Sequence, residues 1–419
     1  VAVDVRGPFV ALSPTPARGW RCMTRLTLLV LSTTLLGADC GNHPTRPGEG
    51  SVRERWFQPH AFGLPRPRPV ASDGAVYFAT GNGFVVSRNP ATGAVKWSTQ
   101  IGASPHSASS DIVGQNFILS NGVLVTAVQF HTSAVNAATG AELWRYHAPL
   151  DTMYKTTPRP GFVEKARIEA DDNTVYIPAW GASVSAVELS TGIVKWVWRP
   201  ESTLAHRSGA TSVRIAEDAL FATVWRHLDA LGAKKEAWLV ALNKGSGAEM
   251  WRFVFPGQGS GATASGAPAL WRHLVIVSLV SGDLYAIDRS SQRVVWHVPP
   301  HIAPSWSLPV AVISAPEVFG DAVYSGSIDE KLRSYRASDG SQIWESAGGQ
   351  FDDLLVTDKR IYGAHGSSLF VYDRSSGSQY ATLRHPRRAV NQIFATPATA
   401  HNGQIFITLS DGAWSFDEP

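Results

Sequence analysis

Asn89-Pro90-Ala91-Thr92-Gly93-Ala94-Val95-Lys96-Trp97 decides the fold, because related segments recur along the chain of 419 residues. The pattern is an Asp, Asn or similar residue, three variable positions, Gly, three further positions and Trp. A seventh copy, Asp373–Ala381, keeps the turn residues but has lost the Trp. Successive Trp residues lie 45 to 55 positions apart, a period typical of repeat architectures. The remaining copies are Asn136–Trp144, Glu188–Trp196, Asn243–Trp251, Asp288–Trp296 and Arg336–Trp344.

The sequence around each copy predicts short β-strands. An apolar run such as Thr174-Val175-Tyr176-Ile177 precedes each copy, and a turn such as Ser281-Gly282-Asp283 leads into a second strand, Leu284–Asp288. The body shows no helical period over a dozen residues. Each repeat therefore predicts an antiparallel sheet of about four strands. One such sheet cannot bury both of its faces, whereas radial stacking of several sheets in a β-propeller buries both.

Each motif residue has a structural role. The Asp or Asn is expected to accept hydrogen bonds from turn amides, and the Gly to take a positive φ. The Trp is expected to lie flat between neighbouring blades and to bury ~150–250 Å². Gln292 replaces the Gly in one copy, which predicts a strained turn or another turn type, and Ala381 predicts a thinner contact between blades. The predicted blade-docking side chains are Trp56, Trp97, Trp144, Trp196, Trp251, Trp296 and Trp344.

Counting the repeats predicts an all-β fold, an eight-bladed β-propeller of four-stranded antiparallel blades that occupies residues 51–419 as a single domain. The segment Ser51–Phe57 carries Trp56 but has no preceding blade, and Gly403–Asp417 lacks a final Trp-bearing strand. We therefore expect the N-terminal strand to complete the last blade and to close the ring. Because the seventh copy is weak, a ring of seven blades remains an alternative.

Residues 1–50 are predicted to be an export segment followed by a tether. Met23-Thr24-Arg25 and the apolar run Leu26–Ala38 resemble a secretory signal, and the run is shorter than the ~20 residues that span a bilayer. The start site is either Val1 or Met23. Leu36-Gly37-Ala38-Asp39-Cys40 resembles a bacterial lipobox, although Asp39 departs from it. Cys40 is the predicted lipidation site, followed by the tether Gly41–Gly50, and a cleaved, secreted form is the alternative.

The Asx-x-x-Thr/Ser-Gly-x-x-x-Trp motif resembles the tryptophan-docking motif of the PQQ-like (quinoprotein-type) β-propeller repeat family. The resemblance covers nearly everything after residue 50, and the Trp-Asp dipeptide of WD repeats does not occur. The family has two relevant branches. Quinoprotein dehydrogenases hold pyrroloquinoline quinone (PQQ) over the central channel. BamB-like lipoproteins of the outer-membrane barrel-assembly machine are non-enzymatic. Their size and their lipidated N-terminus are similar to the size and the predicted N-terminal segment of this chain.

The sequence favours the non-enzymatic branch. Many quinoprotein dehydrogenases stack the cofactor on a disulfide between adjacent cysteines, and this chain has no Cys after Cys40. No segment matches their calcium-binding set, and none of the 13 His residues has metal-like spacing. We therefore predict no catalytic, cofactor-binding or metal-binding residue. The alternatives are a dehydrogenase that uses PQQ with calcium to oxidise an alcohol or sugar, and a periplasmic propeller that binds a ligand.

The expected function is that of a monomeric, exported scaffold on the periplasmic side, lipid-anchored to the outer membrane and bound to a protein partner such as a membrane assembly complex. The formal net charge of +3 provides no basic footprint for nucleic acid. Long loops on one face of the ring are the candidate contact surface, although solvated loops would give the same pattern. The candidate contact residues are Lys155, Arg159, Lys234, Lys235, Trp306 and Arg387.

Overall fold

A ring of small antiparallel sheets makes up the fold. Residues 1–51, with Cys40 and the predicted signal, lie outside the described residues, and none of the described segments forms a helix long and apolar enough to span a bilayer. The computed structural model describes residues 52–59, 67–80, 83–102, 117–128, 131–151, 159–160, 167–179, 183–200, 208–228, 234–257, 263–264, 266–301, 314–351, 353–366, 368–384, 398–409 and 411–419.

The first four blades follow one another along the chain after β1 (Glu54–Pro59). Blade I contains β2 (Val70–Ala71), β3 (Val76–Ala79), β4 (Phe84–Arg88) and β5 (Val95–Gln100). Blade II contains β6 (Phe117–Ser120), β7 (Val123–Val128), β8 (His131–Asn136) and β9 (Glu142–Tyr146), and a two-stranded sheet of β10 (Leu150–Asp151) and β11 (Arg159–Pro160) follows it. Blade III contains β12 (Glu169–Ala170), β13 (Thr174–Ala179), β14 (Ser183–Glu188) and β15 (Val194–Trp198). Blade IV contains β16 (Ser208–Ala216), β17 (Ala219–His227), β18 (Lys235–Asn243) and β19 (Glu249–Val254).

The second half repeats this plan, and β1 supplies the outermost strand of the last blade. Blade V contains β20 (Ala269–Trp271), β21 (Leu274–Ser278), β22 (Leu284–Asp288) and β23 (Val294–Val298). Blade VI contains β24 (Glu317–Phe319), β25 (Ala322–Gly326), β26 (Lys331–Arg336) and β27 (Gln342–Ala347). Blade VII contains β28 (Leu354–Val356), β29 (Arg360–His365), β30 (Ser368–Asp373) and β31 (Gln379–Arg384). Blade VIII contains β32 (Thr399–His401), β33 (Gln404–Leu409), β34 (Gly412–Asp417) and β1.

The predicted eight-bladed ring and its closure are confirmed. β1 pairs antiparallel with β34, so that Trp56 lies opposite Ser415 and Phe57 opposite Trp414. The ring is therefore closed by backbone hydrogen bonds between the two ends of the propeller. The eight four-stranded sheets exclude the alternative of seven blades. The described residues contain no helix.

The hydrophobic core lies between the blades. One cluster joins Val125 and Trp144 of blade II to Val175 and Leu189 of blade III, and similar clusters recur around the ring. The second and third strands of a blade are buried on both faces, which is why they read as continuous apolar runs. The outermost strands keep one face in water, as the alternating exposure of β5 shows.

Candidate functional site

The tryptophan of a motif packs on the motif turn of the next blade. In blade I, Trp97 Nε1 donates a hydrogen bond to the carbonyl of Ala137 at 3.0 Å. Gly140, in the same turn, has φ = +75°, and a Cβ atom there would lie 2.6 Å from the indole of Trp97. The left-handed backbone disfavours a side chain and the indole leaves no room for a Cβ at position 140, so both effects favour glycine there.

The same contact recurs around the ring. Trp251 packs against the cluster between blades IV and V, and its ring lies 5.7 Å between centroids from that of Phe221 in its own blade. Trp344 lies 2.5 Å from the position that a Cβ of Gly377 would take. The indole nitrogens of Trp56, Trp144, Trp196 and Trp296 donate at 2.8 to 3.1 Å to the carbonyls of Pro90, Leu189, Lys244 and Ala337, respectively.

The exceptional turn at Gln292 keeps the geometry of the other copies. Gln292 has φ = +60°, and its amide donates to the carbonyl of Asp288 at 2.9 Å, as Gly140 does to Asn136. Asp288 Oδ1 accepts from the amides of Ser290 and Ser291. The turn is therefore of the same type, and a residue with a side chain occupies a left-handed position that costs about 1–2 kcal/mol.

A cluster of six charged residues spans the central channel, and we call it the channel cluster. Asp353 and Glu317 lie 3.2 Å and 3.9 Å from Arg68, which precedes the innermost strand of blade I. Glu317 also lies 3.6 Å from Arg167 of blade III, and Arg214 of blade IV contacts Glu169 at 2.8 Å. Blades I and VI, like blades III and VI, are three positions apart in a ring of eight. Ion pairs between them must cross the channel.

The channel cluster is balanced and well anchored, with three guanidinium groups facing three carboxylates. Burial disfavours the charged form of Arg167, but Asp353, Glu317 and Glu169 outweigh this effect and raise the pKa of the guanidinium. Arg68 also donates to the carbonyl of Leu354 at 2.7 Å. These contacts tie blades I, III, IV, VI and VII together and fill this level of the channel with charged side chains.

The carboxylates of the channel cluster all face arginine side chains. Within the described residues, no group of three His, Cys, Asp or Glu side chains is placed to hold a metal ion. In the channel cluster, Glu169, Glu317 and Asp353 are all within ion-pair distance of an arginine. Their charge therefore stabilises guanidinium groups.

The structure describes three of the six predicted contact residues. Lys155, Trp306 and Arg387 lie outside the described residues. Arg159 lies in β11, where its backbone lies opposite that of Asp151 in β10. Lys234 and Lys235 are neighbours in sequence, and they lie where β18 begins, with Lys235 opposite His227 of β17.

Blade IV carries features that the sequence analysis did not single out. Strands β17 and β18 are nine residues long, and their tip places Lys235 Nζ 5.2 Å from the ring centroid of Trp225. Trp238 lies between the guanidinium groups of Arg226 and Arg252, at 4.5 Å and 4.6 Å from its ring centroid. The available signal was the longest interval between motif tryptophans, because the extra residues lengthen this hairpin.

Eight blades, seven of which carry the motif turn, define the class: the chain is a β-propeller of the PQQ-like repeat type. A family model described as outer membrane protein assembly factor BamB matches residues 53–153 and 235–417. The chain therefore belongs to that family. No curated protein matches the chain.

Solved structures share the fold at low sequence identity. BamB from Moraxella catarrhalis is 14% identical, with 88% of this chain and 97% of that chain covered and a TM-score of 0.61. The computationally designed Ika8 protein is 12% identical, with 87% and 99% covered and a TM-score of 0.64. The quinohemoprotein alcohol dehydrogenase from Comamonas testosteroni is 13% identical, with 88% and 76% covered and a TM-score of 0.66. Likeness at this level shows the fold alone, since one fold hosts many functions.

Proposed function

We propose that the protein is a non-catalytic, exported scaffold that binds a protein partner during outer-membrane protein assembly. The observation that carries the proposal is the family match, which covers blades I and II, the two outer strands of blade IV and blades V to VIII. The proposal involves no bond chemistry and no cofactor. The likeness to the quinohemoprotein alcohol dehydrogenase extends to the fold, and no described residue favours that activity over binding.

The rigidity of the ring supports this function. Indole contacts between blades and the channel cluster hold the framework in one conformation, so surface groups are positioned before a partner arrives. A preorganised surface loses less entropy on binding than a mobile one. The propeller is therefore suited to present loops and strand edges to another protein.

The rim of blades III and IV is the contact surface that we propose for the partner. The outer strands β15 and β19 expose Val197 and Met250, which are 40% and 50% accessible. At the other end of β18 from Met250, the hairpin of β17 and β18 presents Lys234 and Lys235, with Trp225 under the second lysine. Met and aromatic side chains are enriched in protein interfaces, and basic groups at the edge of an interface guide a partner of opposite charge.

Membrane attachment is the second part of the proposal. We propose that Cys40 is lipidated and that the tether 41–50 holds the propeller on the periplasmic side of the outer membrane. The Cys40→Ala variant is expected to move from the membrane fraction to the soluble periplasmic fraction. Membrane retention of that variant in a high-salt wash would contradict a lipid anchor.

Affinity purification from native membranes tests the scaffold function. The wild type and the Lys96→Glu variant, a matched change on the outer strand of blade I, are expected to recover subunits of the barrel-assembly complex. The Lys234→Glu/Lys235→Glu variant is expected to recover at least tenfold less. Titration with PQQ and calcium is the opposing test, because stoichiometric binding with turnover of an alcohol would overturn the proposal.

A further inference from the structure

A second surface, outside the rim of blades III and IV, carries a concentration of arginine. Turns of blades V, VI and VII enclose an open groove of about 390 Å³, which we call the arginine groove. Its charged side chains are Arg272, Arg336, Arg374 and Asp321. Three guanidinium groups thus face a single carboxylate within the lining.

Two of the arginines lie on aromatic rings. The guanidinium carbon of Arg272 is 4.4 Å from the ring centroid of Trp271, and that of Arg374 is 4.4 Å from the ring centroid of Phe319. Arg374 Nε also donates to the carbonyl of Asp358 at 2.8 Å and its Nη1 to the hydroxyl of Tyr324 at 3.4 Å, so Nη2 is the nitrogen of Arg374 that we assign to the ligand. A guanidinium held flat on an aromatic ring keeps its N–H edge directed outward, in the plane where it binds carboxylates.

The internal ion pairs of Arg272 and Arg336 are exposed and therefore weak. Arg272 lies 3.6 Å from Asp321, with side chains 66% and 74% exposed, and Arg336 lies 3.4 Å from Asp339, with 56% and 52% exposed. Exposed pairs of this kind contribute little to stability. An incoming carboxylate can therefore replace them at a small cost.

The repeat pattern shows that this charge is not required by the fold. Arg336 stands at the first position of its motif, where most copies have Asn or Asp. The turn is capped instead by Asp339, whose Oδ1 accepts from the amide of Ser341 at 2.9 Å. The substitution leaves the hairpin intact and places a guanidinium group in the groove.

We propose that the arginine groove binds an acidic segment of a partner protein, whose carboxylates pair with Arg272, Arg336 and Arg374. The apolar part of the lining, Trp271, Phe319 and Ile343, matches the carbon chains of such a segment, whereas an inorganic anion has nothing to place there. Arginine together with aromatic side chains is also the composition that protein interfaces favour. The identification of the ligand as a protein rests on the proposed scaffold function.

The test is fluorescence anisotropy of the purified full-length protein with a fluorescein-labelled hexapeptide of alternating Glu and Leu. The Arg272→Ala/Arg336→Ala variant is expected to bind about tenfold more weakly, since it removes two exposed arginine–carboxylate contacts that are worth up to about fivefold each. Arg53→Ala, an exposed arginine on blade VIII, is the matched control and should stay within twofold. Arg374→Lys keeps the charge but loses planar stacking, and we expect about threefold to tenfold weaker binding.

Three outcomes overturn the proposal. The first is wild-type affinity in the double variant while its circular dichroism spectrum is unchanged. The second is equal affinity for a peptide with Gln in place of Glu. The third is displacement of the peptide by inorganic phosphate at equal concentration, which would identify a site for small anions. If peptide binding depends on the arginines but purification from membranes recovers no assembly complex, the proposed scaffold function is wrong, whereas the proposal that the arginine groove binds acidic segments is supported.

Discussion

Replacing Trp144 with Ala tests whether indoles between blades hold the ring together. Trp144 of blade II is 7% exposed and lies in the cluster between blades II and III. Its Nε1 donates to the carbonyl of Leu189 at 2.8 Å. A Cβ on Gly192 would lie 2.8 Å from the indole, so the ring fills the space above that turn.

The expected loss is large on the scale of protein stability. A buried Trp removes ~150–250 Å² from water, and about 25 cal/mol per Å² gives roughly 4–6 kcal/mol. The hydrogen bond adds about 1 kcal/mol, while partial collapse of the neighbouring side chains recovers part of the total. We therefore expect Trp144→Ala to lower the free energy of unfolding by about 4 kcal/mol.

Urea unfolding followed by tryptophan fluorescence and circular dichroism measures this loss. Ile193→Ala, next to the turn glycine and 65% exposed, is the matched control and should change the free energy of unfolding by less than about 0.5 kcal/mol. A loss below about 1 kcal/mol for Trp144→Ala would refute the reasoning.

A double-mutant cycle checks the geometry of the same contact. Gly192→Ala introduces a Cβ at φ = +72° and against the indole, so both effects destabilise the wild type. In the Trp144→Ala background the clash is gone and only the backbone effect, about 1–2 kcal/mol, remains. Strictly additive losses would mean that the indole does not contact this turn.

Three further predictions follow from individual sites. Ala381→Trp should destabilise by about 1–3 kcal/mol because Ala381 is 3% exposed in a filled interface, and a rise in the urea midpoint would contradict this. Hydrogen bonds from Ser375 and from the amide of Ser376 lower the pKa of Asp373 to about 2. Its charge therefore stabilises the fold above the unfolded pKa of about 4 and ceases to do so as pH falls through about 2. The difference in urea midpoint between wild type and Asp373→Asn should be constant above pH 5 and shrink towards pH 2; a difference independent of pH would refute it. Glu317→Gln should cost about 1–3 kcal/mol because it leaves Arg167 without one of its carboxylates, whereas Glu142→Gln, at an exposed pair with Arg145, should change the free energy of unfolding by less than about 0.5 kcal/mol.

The blades could be predicted because each one is encoded locally. The Asx residue, the Gly and the Trp lie within nine residues, and the strands around them alternate with turn residues at a constant period. Ring closure could also be predicted from the sequence. The segment with Trp56 has no preceding blade, and the last repeat, which ends with the strand Gly412–Asp417, lacks its outermost strand. Hydrophobic periodicity and turn residues were therefore sufficient to predict the architecture.

The channel cluster could not be predicted in the same way. Arg68 and Asp353 belong to blades at opposite ends of the sequence, and no period relates them. Each looks like an ordinary charged residue before an innermost strand, and only closure of the ring brings them to 3.2 Å. The arginine groove was hidden for a related reason, because Arg272, Arg336 and Arg374 come from turns of three different repeats.

The missing Trp at position 381 follows from the way the ring closes. A docking tryptophan needs the hairpin between the third and fourth strands of the next blade, as Trp97 needs the turn that holds Gly140. After blade VII, the next blade is VIII, whose third and fourth strands, β34 and β1, come from opposite ends of the propeller. No short hairpin joins them, so an indole at position 381 would have no turn to pack on. Ala381 lies instead in the cluster with Trp414 and Phe416 of blade VIII. The copy that lacks its Trp is thus the one in the blade before the closing blade. We expect a missing motif Trp to identify the blade before the closing blade in other propellers built from this repeat.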